Sequence, residues 1–212
     1  MDVIRSDEEQ IEALKKWWGE NGWAIVGGIV IGLGAIFGWR AWQAYQIKIA
    51  EQASDIYATL IVDVRTKKND QARTLAKKLL DEYPKTTYAR FADLMLAMLD
   101  VEDNDLDSAR EHLQHVINNA DQEEIKHLAR IRLARVLLSS GKPEDALKLI
   151  DTVDQGKFAA SYEEVMGDIY IQLNKPEEAR KAYQLALATS TNQGQNDSFL
   201  EMKLDNLGQP NP

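Results

Sequence analysis

From Asn21 to Trp39 the chain reads NGWAIVGGIVIGLGAIFGW, 19 residues without a charged side chain. A helix rises about 1.5 Å per residue, so this run covers roughly the 30 Å hydrocarbon core of a bilayer. Trp23 stands at one end, Trp39 and Trp42 at the other, where aromatic belts meet the headgroups. A competing reading takes Gly32-Leu33-Gly34 and Gly38 as a dinucleotide-binding loop. Glu51 is at a tolerable distance for its ribose-binding acid, but the third glycine is one residue late and no second strand completes a βαβ unit. The run is a membrane span, residues 23–42. Its apolar core exceeds the roughly 7–15 residues of a signal peptide, and no small-x-small cleavage site follows, so it is expected to remain as an anchor.

The glycines of the span are sided. At about 100° per residue, Gly27, Gly28, Gly32, Gly34, Ala35 and Gly38 gather on one side, and Ile25, Val26, Ile29, Leu33, Ile36 and Phe37 on the other. Gly28-xxx-Gly32 and Gly34-xxx-Gly38 are small-xxx-small pairs, the pattern of a face on which another helix packs. Glycine is also simply common in membrane helices. Before the span, Ser6 and Glu9 are spaced as a capping box, and Ile11, Leu14 and Trp18 share a face with Trp17 beside them. Gly19, Asn21 and Gly22 are expected to break this helix, making residues 1–22 a segment with a short amphipathic helix on the inner membrane surface. The alternative is a plain extension of the span. Arg5, Lys15 and Lys16 precede the span and Arg40 and Lys48 follow it, a near tie that leans slightly towards a cytoplasmic N-terminus.

The remaining chain is water-soluble in composition, since mean hydropathy over all 212 residues is only −0.40. Net charge is −9, from 34 acidic and 25 basic residues, with no Lys/Arg block. Nucleic acid is therefore excluded as a partner, because displacing its counterions needs a concentrated basic face. The absence of cysteine excludes disulfides and thiolate metal sites.

Downstream, the apolar periodicity is helical throughout, with turns expected at Asn69-Asp70, Asn104-Asp105, Gly141-Lys142-Pro143 and Asn174-Lys175-Pro176. The segments DQARTLAKKLL, DSAREHLQHVI, EDALKLIDTV and EEARKAYQLAL align on Ala72, Ala109, Ala146 and Ala179, at intervals of 37, 37 and 33 residues. Twelve positions before the last three alanines stand Ala97, Ala134 and Gly167, small residues where two helices cross closely. This is the tetratricopeptide pattern, best matched around Gly167, Tyr170, Ala179, Tyr183 and Ala186, with Pro84 closing the first unit. Asp93 and Arg130 depart from it, standing where the consensus has tryptophan. The fold class is all-α: a single N-terminal transmembrane helix followed by a tetratricopeptide-like helical-hairpin solenoid. The solenoid covers 43–207, with about four hairpins and a C-terminal helix, and 208–212 form a flexible tail.

No chemistry-bearing constellation is present. His112 and His115 lie one turn apart but flank Leu113 and Val116, so both are expected to face water, and no third ligand accompanies them. There is no G-x-S-x-G, P-loop or H-E-x-x-H motif. Glu123-Glu124 and Glu177-Glu178 sit in first helical turns, where they complement the helix dipole. Catalytic residues, cofactors and metals are not expected, and the chain is not expected to be an enzyme.

EEQIEALKKWWGENG, the glycine-rich span, GWRAWQAYQ, AEQASDIY and LARIRLARVLL together resemble the YfgM-type ancillary subunit of the SecYEG translocon, over essentially the whole chain. The resemblance implies a bacterial inner-membrane protein with a cytoplasmic N-terminus and a periplasmic repeat domain. It also implies the SecYEG translocon, a PpiD-type periplasmic chaperone and translocating client proteins as partners, with membrane lipid around the anchor. The implied role is a non-enzymatic adaptor that passes newly translocated proteins to chaperones. The alternative is a scaffold for another envelope assembly, such as a division or outer-membrane assembly complex.

In a tetratricopeptide hairpin the first helix lines the concave side. The resemblance places groove positions 18, 15, 11 and 8 residues before each aligned alanine. These are Tyr57, Ile61 and Val64 in the first unit, Phe91, Leu94, Met98 and Val101 in the second, and Leu128, Ile131, Arg135 and Leu138 in the third. So apolar a row marks either a partner site or a surface covered by the chain's own C-terminal helix, through Phe199, Leu200, Leu204 and Leu207.

Overall fold

The computed structural model describes residues 7–192 and 197–208, and every regular element among them is helical. Ser6 of the expected capping box and tail residues 209–212 lie outside the described residues. The chain has two compact units, Met1–Glu51 and Gln52–Pro212, and helix α1 (Asp7–Arg65) contributes to both.

α1 is continuous, so Gly19, Asn21 and Gly22 do not break it as expected. Each glycine costs roughly 1 kcal/mol of helix propensity. Ending the helix at the edge of a span leaves up to four carbonyls unpaired, at several kcal/mol each where water is scarce. Asn21 is recruited to the helix, its Nδ2 donating to the Trp17 carbonyl at 3.0 Å. Trp18 covers Gly22, where a Cβ would stand 3.2 Å from the indole. The plain extension is what forms.

Within the first unit the apolar stretch has almost no cover from protein, and it is long and apolar enough to cross a membrane. Trp23 is 88% exposed and Ile31 74%. A Cβ added at Gly27, Gly28, Gly32, Gly34 or Gly38 would meet nothing within 4 Å, so the small-residue face is bare among the described residues. A surface this apolar needs lipid or another helix against it.

The second unit is a row of hairpins. The end of α1 pairs with α2 (Asn69–Glu82), α3 (Thr87–Glu102) with α4 (Leu106–Asn119), α5 (Glu123–Ser139) with α6 (Pro143–Ile150), and α7 (Ala159–Gln172) with α8 (Pro176–Asn192). α9 (Ser198–Asn206) follows. Thr86, Asp105 and Asp197 cap their helices, accepting from the backbone N–H of Ala89, Ser108 and Leu200. The first turn falls at 66–68 rather than at Asn69-Asp70, which open α2 instead.

Each hairpin bends at one left-handed residue: Lys67 (φ 59°), Asn104 (61°), Gly141 (70°) and Asn174 (57°). Each stands five residues before its aligned alanine. After each, a backbone N–H reaches back to close the helix end: Lys68 to Asp63, Asp105 to Asp100, Lys142 to Leu137 and Lys175 to Tyr170. Ala72, Ala109, Ala146 and Ala179 are all 0% exposed, which is the packing reason for the repeat. Gly167 shows how tight the crossing is, since a Cβ there would lie 2.2 Å from the Tyr183 ring.

The core follows the hairpins. Ala53 and Leu60 of α1 bury with Ala76, Leu79, Ala92 and Leu96. A larger cluster runs from Leu94 through Leu113, Leu133 and Ile150 to Tyr162 and Ile169. A third gathers Ala179, Tyr183, Ala186 and Leu200.

Candidate protein-binding groove

The first helices of the hairpins carry the expected row, but its residues sort into two depths. Tyr57, Ile61, Val64, Phe91 and Met98 are half-buried, while Val101 (44%), Leu128 (37%) and Arg135 are exposed. Leu94, Ile131 and Leu138 are core residues instead, at 3%, 4% and 7% exposure. Position 15 of the second and third units turns inward because successive first helices pack on one another there. Tyr57 and Phe91 join the first two units through rings 5.5 Å apart, with Tyr88 5.7 Å from Tyr57.

Between α3 and α5 the packing leaves a cavity of about 350 Å³, floored by Leu94, Ala97 and Leu113 and open past Met98, Val101 and Arg135. It unites expected groove residues from two units. Tyr57, Ile61, Val64, Phe91, Leu128, Ile131 and Leu138 do not line it. Arg132 does, although the offset rule passes over it; its signal was its place three residues before Arg135 on the same helix. Arg132 is half-buried, and burial first and the Arg135 charge second push its pKa down. Among the described residues no carboxylate stands within ion-pair distance of it. Glu102, which also lines the cavity, already faces Lys67 at 3.7 Å.

His112 and His115 do not simply face water, contrary to expectation. Their Nδ1 atoms lie 3.0 and 2.8 Å from the two oxygens of Asp93, which is 1% exposed. A buried carboxylate left alone costs several kcal/mol, so the edge of α4 is drawn onto it. Arg90 completes the cluster, 3.6 Å from Asp93 and 3.4 Å from His115, while donating to the Pro84 carbonyl. Asp100 lies 3.8 Å from His112 Nε2 and pairs with Arg73, which also holds Asp103 at 2.7 Å. The arrangement fastens α2, α3 and α4 together.

The fourth unit differs. Counting the same offsets back from Ala179 gives Ser161, Glu164, Asp168 and Ile171, an acidic row. Lys203 of α9 meets it, at 2.8 Å from Glu164 and 2.8 and 2.9 Å from the two oxygens of Asp168. Arg135 reaches Glu164 from the other side at 3.2 Å. Tyr183 donates to Asp168 at 2.6 Å, and burial together with that carboxylate raises its pKa. α9 buries Leu200 with Ala179, Tyr183 and Ala186, packs Leu204 and Leu207 on that cluster and leaves Phe199 exposed. It closes the end of the solenoid and contributes no residue to the α3–α5 cavity.

The tetratricopeptide repeat-like domain family matches residues 15–209. A protein of Escherichia coli K12 called an ancillary SecYEG translocon subunit is 30% identical over 207 residues, 98% of this chain and 99% of its own length. The chain belongs to this family of ancillary SecYEG translocon subunits. Relatives of the same name in Haemophilus influenzae and Neisseria gonorrhoeae are each 31% identical, over 95% of this chain and 97% of their own. Similarity to ancillary SecYEG translocon subunits therefore takes in the apolar helix as well as the repeats.

Proposed function

We propose that the chain is a non-enzymatic inner-membrane adaptor at the SecYEG translocon, with residues 1–22 cytoplasmic and everything after about Gln43 periplasmic. The span is held by lipid, and Gly27, Gly28, Gly32, Gly34, Ala35 and Gly38 pack on a helix of the translocon. The groove receives segments of newly translocated clients and of a PpiD-type chaperone and brings the two together. One observation carries the reading: an open, mostly apolar cavity in a repeat domain whose relatives bear the translocon's name. Membership in that family supports the partner, and the bare apolar helix supports the anchor.

Purification of the full chain in mild detergent, followed by mass spectrometry, tests it. SecYEG subunits and the chaperone are expected together. Gly28→Ile should reduce the translocon subunits, and Met98→Glu should reduce the chaperone and clients while the translocon subunits stay. Recovery of a division or outer-membrane assembly complex instead would overturn the assignment. A phosphatase fused after Pro212 should be active, and an inactive fusion would reverse the topology.

A further inference from the structure

The inner surface changes character along its length. The second unit offers Leu94, Met98 and Val101, the third Ile131 and Arg135, and the fourth Glu164 and Asp168. The acidic end is already neutralised: Lys203 covers both carboxylates, and Arg135 holds the far side of Glu164. The cationic part is not. Arg132 sits half-buried at the cavity wall with no ion-pair partner among the described residues; the Arg135 charge works against its own, and only the Tyr57 phenol acts weakly in its favour. A guanidinium carries five N–H donors. Arg135 spends one on Glu164, whose other oxygen Lys203 takes, so most of its donors remain available.

A cation withdrawn from water beside an apolar cavity is costly to leave unanswered. In a chain of net charge −9, acidic side chains abound, yet none of those described is spent on it. We infer that the occupant of the α3–α5 cavity is a segment of a partner protein carrying large apolar side chains next to an aspartate or glutamate. The apolar side chains enter between Met98 and Val101 over Leu94 and Leu113, and the carboxylate bridges Arg132 and Arg135. A basic segment is disfavoured there, because it would meet the guanidinium pair with its own charge. This rests on the groove being a partner site, and it adds the charge that the partner must present.

The experiment uses the full chain in lipid nanodiscs and two fluorescent amphipathic peptides, identical except for glutamate or lysine beside their leucines. Anisotropy should show the glutamate peptide binding about tenfold tighter, the scale of a partly desolvated charge-assisted contact. Arg132→Gln with Arg135→Gln should erase that preference, weakening the glutamate peptide and, by relieving like-charge repulsion, letting the lysine peptide bind at least as tightly as before. The exposed Arg135→Gln alone should erase part of it, which covers the case of a double variant that fails to fold. Met98→Glu should weaken both peptides. If wild-type protein binds both peptides equally and Met98→Glu abolishes both, the groove stands and the acidic-partner inference falls. If Met98→Glu changes neither, or neither peptide binds, the groove reading falls with it. Self-association in sedimentation that Met98→Glu abolishes would make a second copy the occupant. Displacement of bound glutamate peptide by anionic lipid vesicles would make it a lipid headgroup. Either result would overturn the inference.

Discussion

The second and fourth hairpins have the same plan and opposite fates. In both, a first helix crosses a second over a small residue, Ala97 in one and Gly167 in the other. In the fourth the concave positions are acidic and are taken up internally, by Lys203 from α9 and Arg135 from α5. In the second the same positions are apolar, and the gap to α5 stays open. The buried Asp93 of the second hairpin is met on its other side by His112, His115 and Arg90. A repeat can therefore be finished internally or left with an unfilled face, and only the unfilled one is available to another protein.

Four substitutions sharpen this contrast. The largest effect is predicted for Asp93→Ala, which strands Arg90 inside the second hairpin. Loss of one partner of a buried ion cluster costs about 3–5 kcal/mol. Urea unfolding followed by circular dichroism should show it, and a change under about 1 kcal/mol would mean that the cluster is incidental. Next comes Gly167→Ala. The new methyl would stand 2.2 Å from Tyr183, a ring 3% exposed and tied to Asp168. Overpacking of this kind costs about 1–3 kcal/mol, and the same unfolding curve reads it.

Lys203→Ala should act locally. It leaves Glu164 and Asp168 without their shared cation, at about 1–2 kcal/mol for a partly buried charged hydrogen bond. Hydrogen exchange should quicken in α9 and the fourth hairpin while the first two hairpins keep their protection. Uniform quickening would show the hairpins to be one cooperative block. The smallest effect is Lys67→Gly. Lysine occupies a left-handed turn position that Asn104, Gly141 and Asn174 fill more cheaply elsewhere. Relief of that strain should stabilise the first hairpin by about 1 kcal/mol or less, a slight rise in Tm. No rise would place the turn's constraint elsewhere.

The repeats were legible because alanine spacing reports a packing need directly: only a small residue fits where helices cross. The apolar helix was legible because so many uncharged residues in a row need lipid or other protein around them, and the chain supplies almost no cover of its own. The Asp93 cluster was not. On a helical wheel His112 and His115 border Leu113 and look outward, and nothing in α4 alone shows that α3 places a buried carboxylate against that border. Leu94, Ile131 and Leu138 were misplaced for a related reason. The offset from the alanine says which side of a helix a residue occupies, while its depth depends on how closely the neighbouring first helix packs. The break expected at Gly19–Gly22 weighed local propensity without the larger cost of opening a helix next to lipid.

Each helix of the repeat domain packs chiefly on those before and after it, so the contacts that bury a hairpin join residues near in sequence. Low contact order of this kind favours rapid folding and requires no distant segment to be present first. A chain that emerges N-terminal end first can thus consolidate hairpin by hairpin, each newly arrived pair condensing on the one already formed. α9 arrives last in that order. Until its Lys203 reaches Glu164 and Asp168, the growing end stays unsealed.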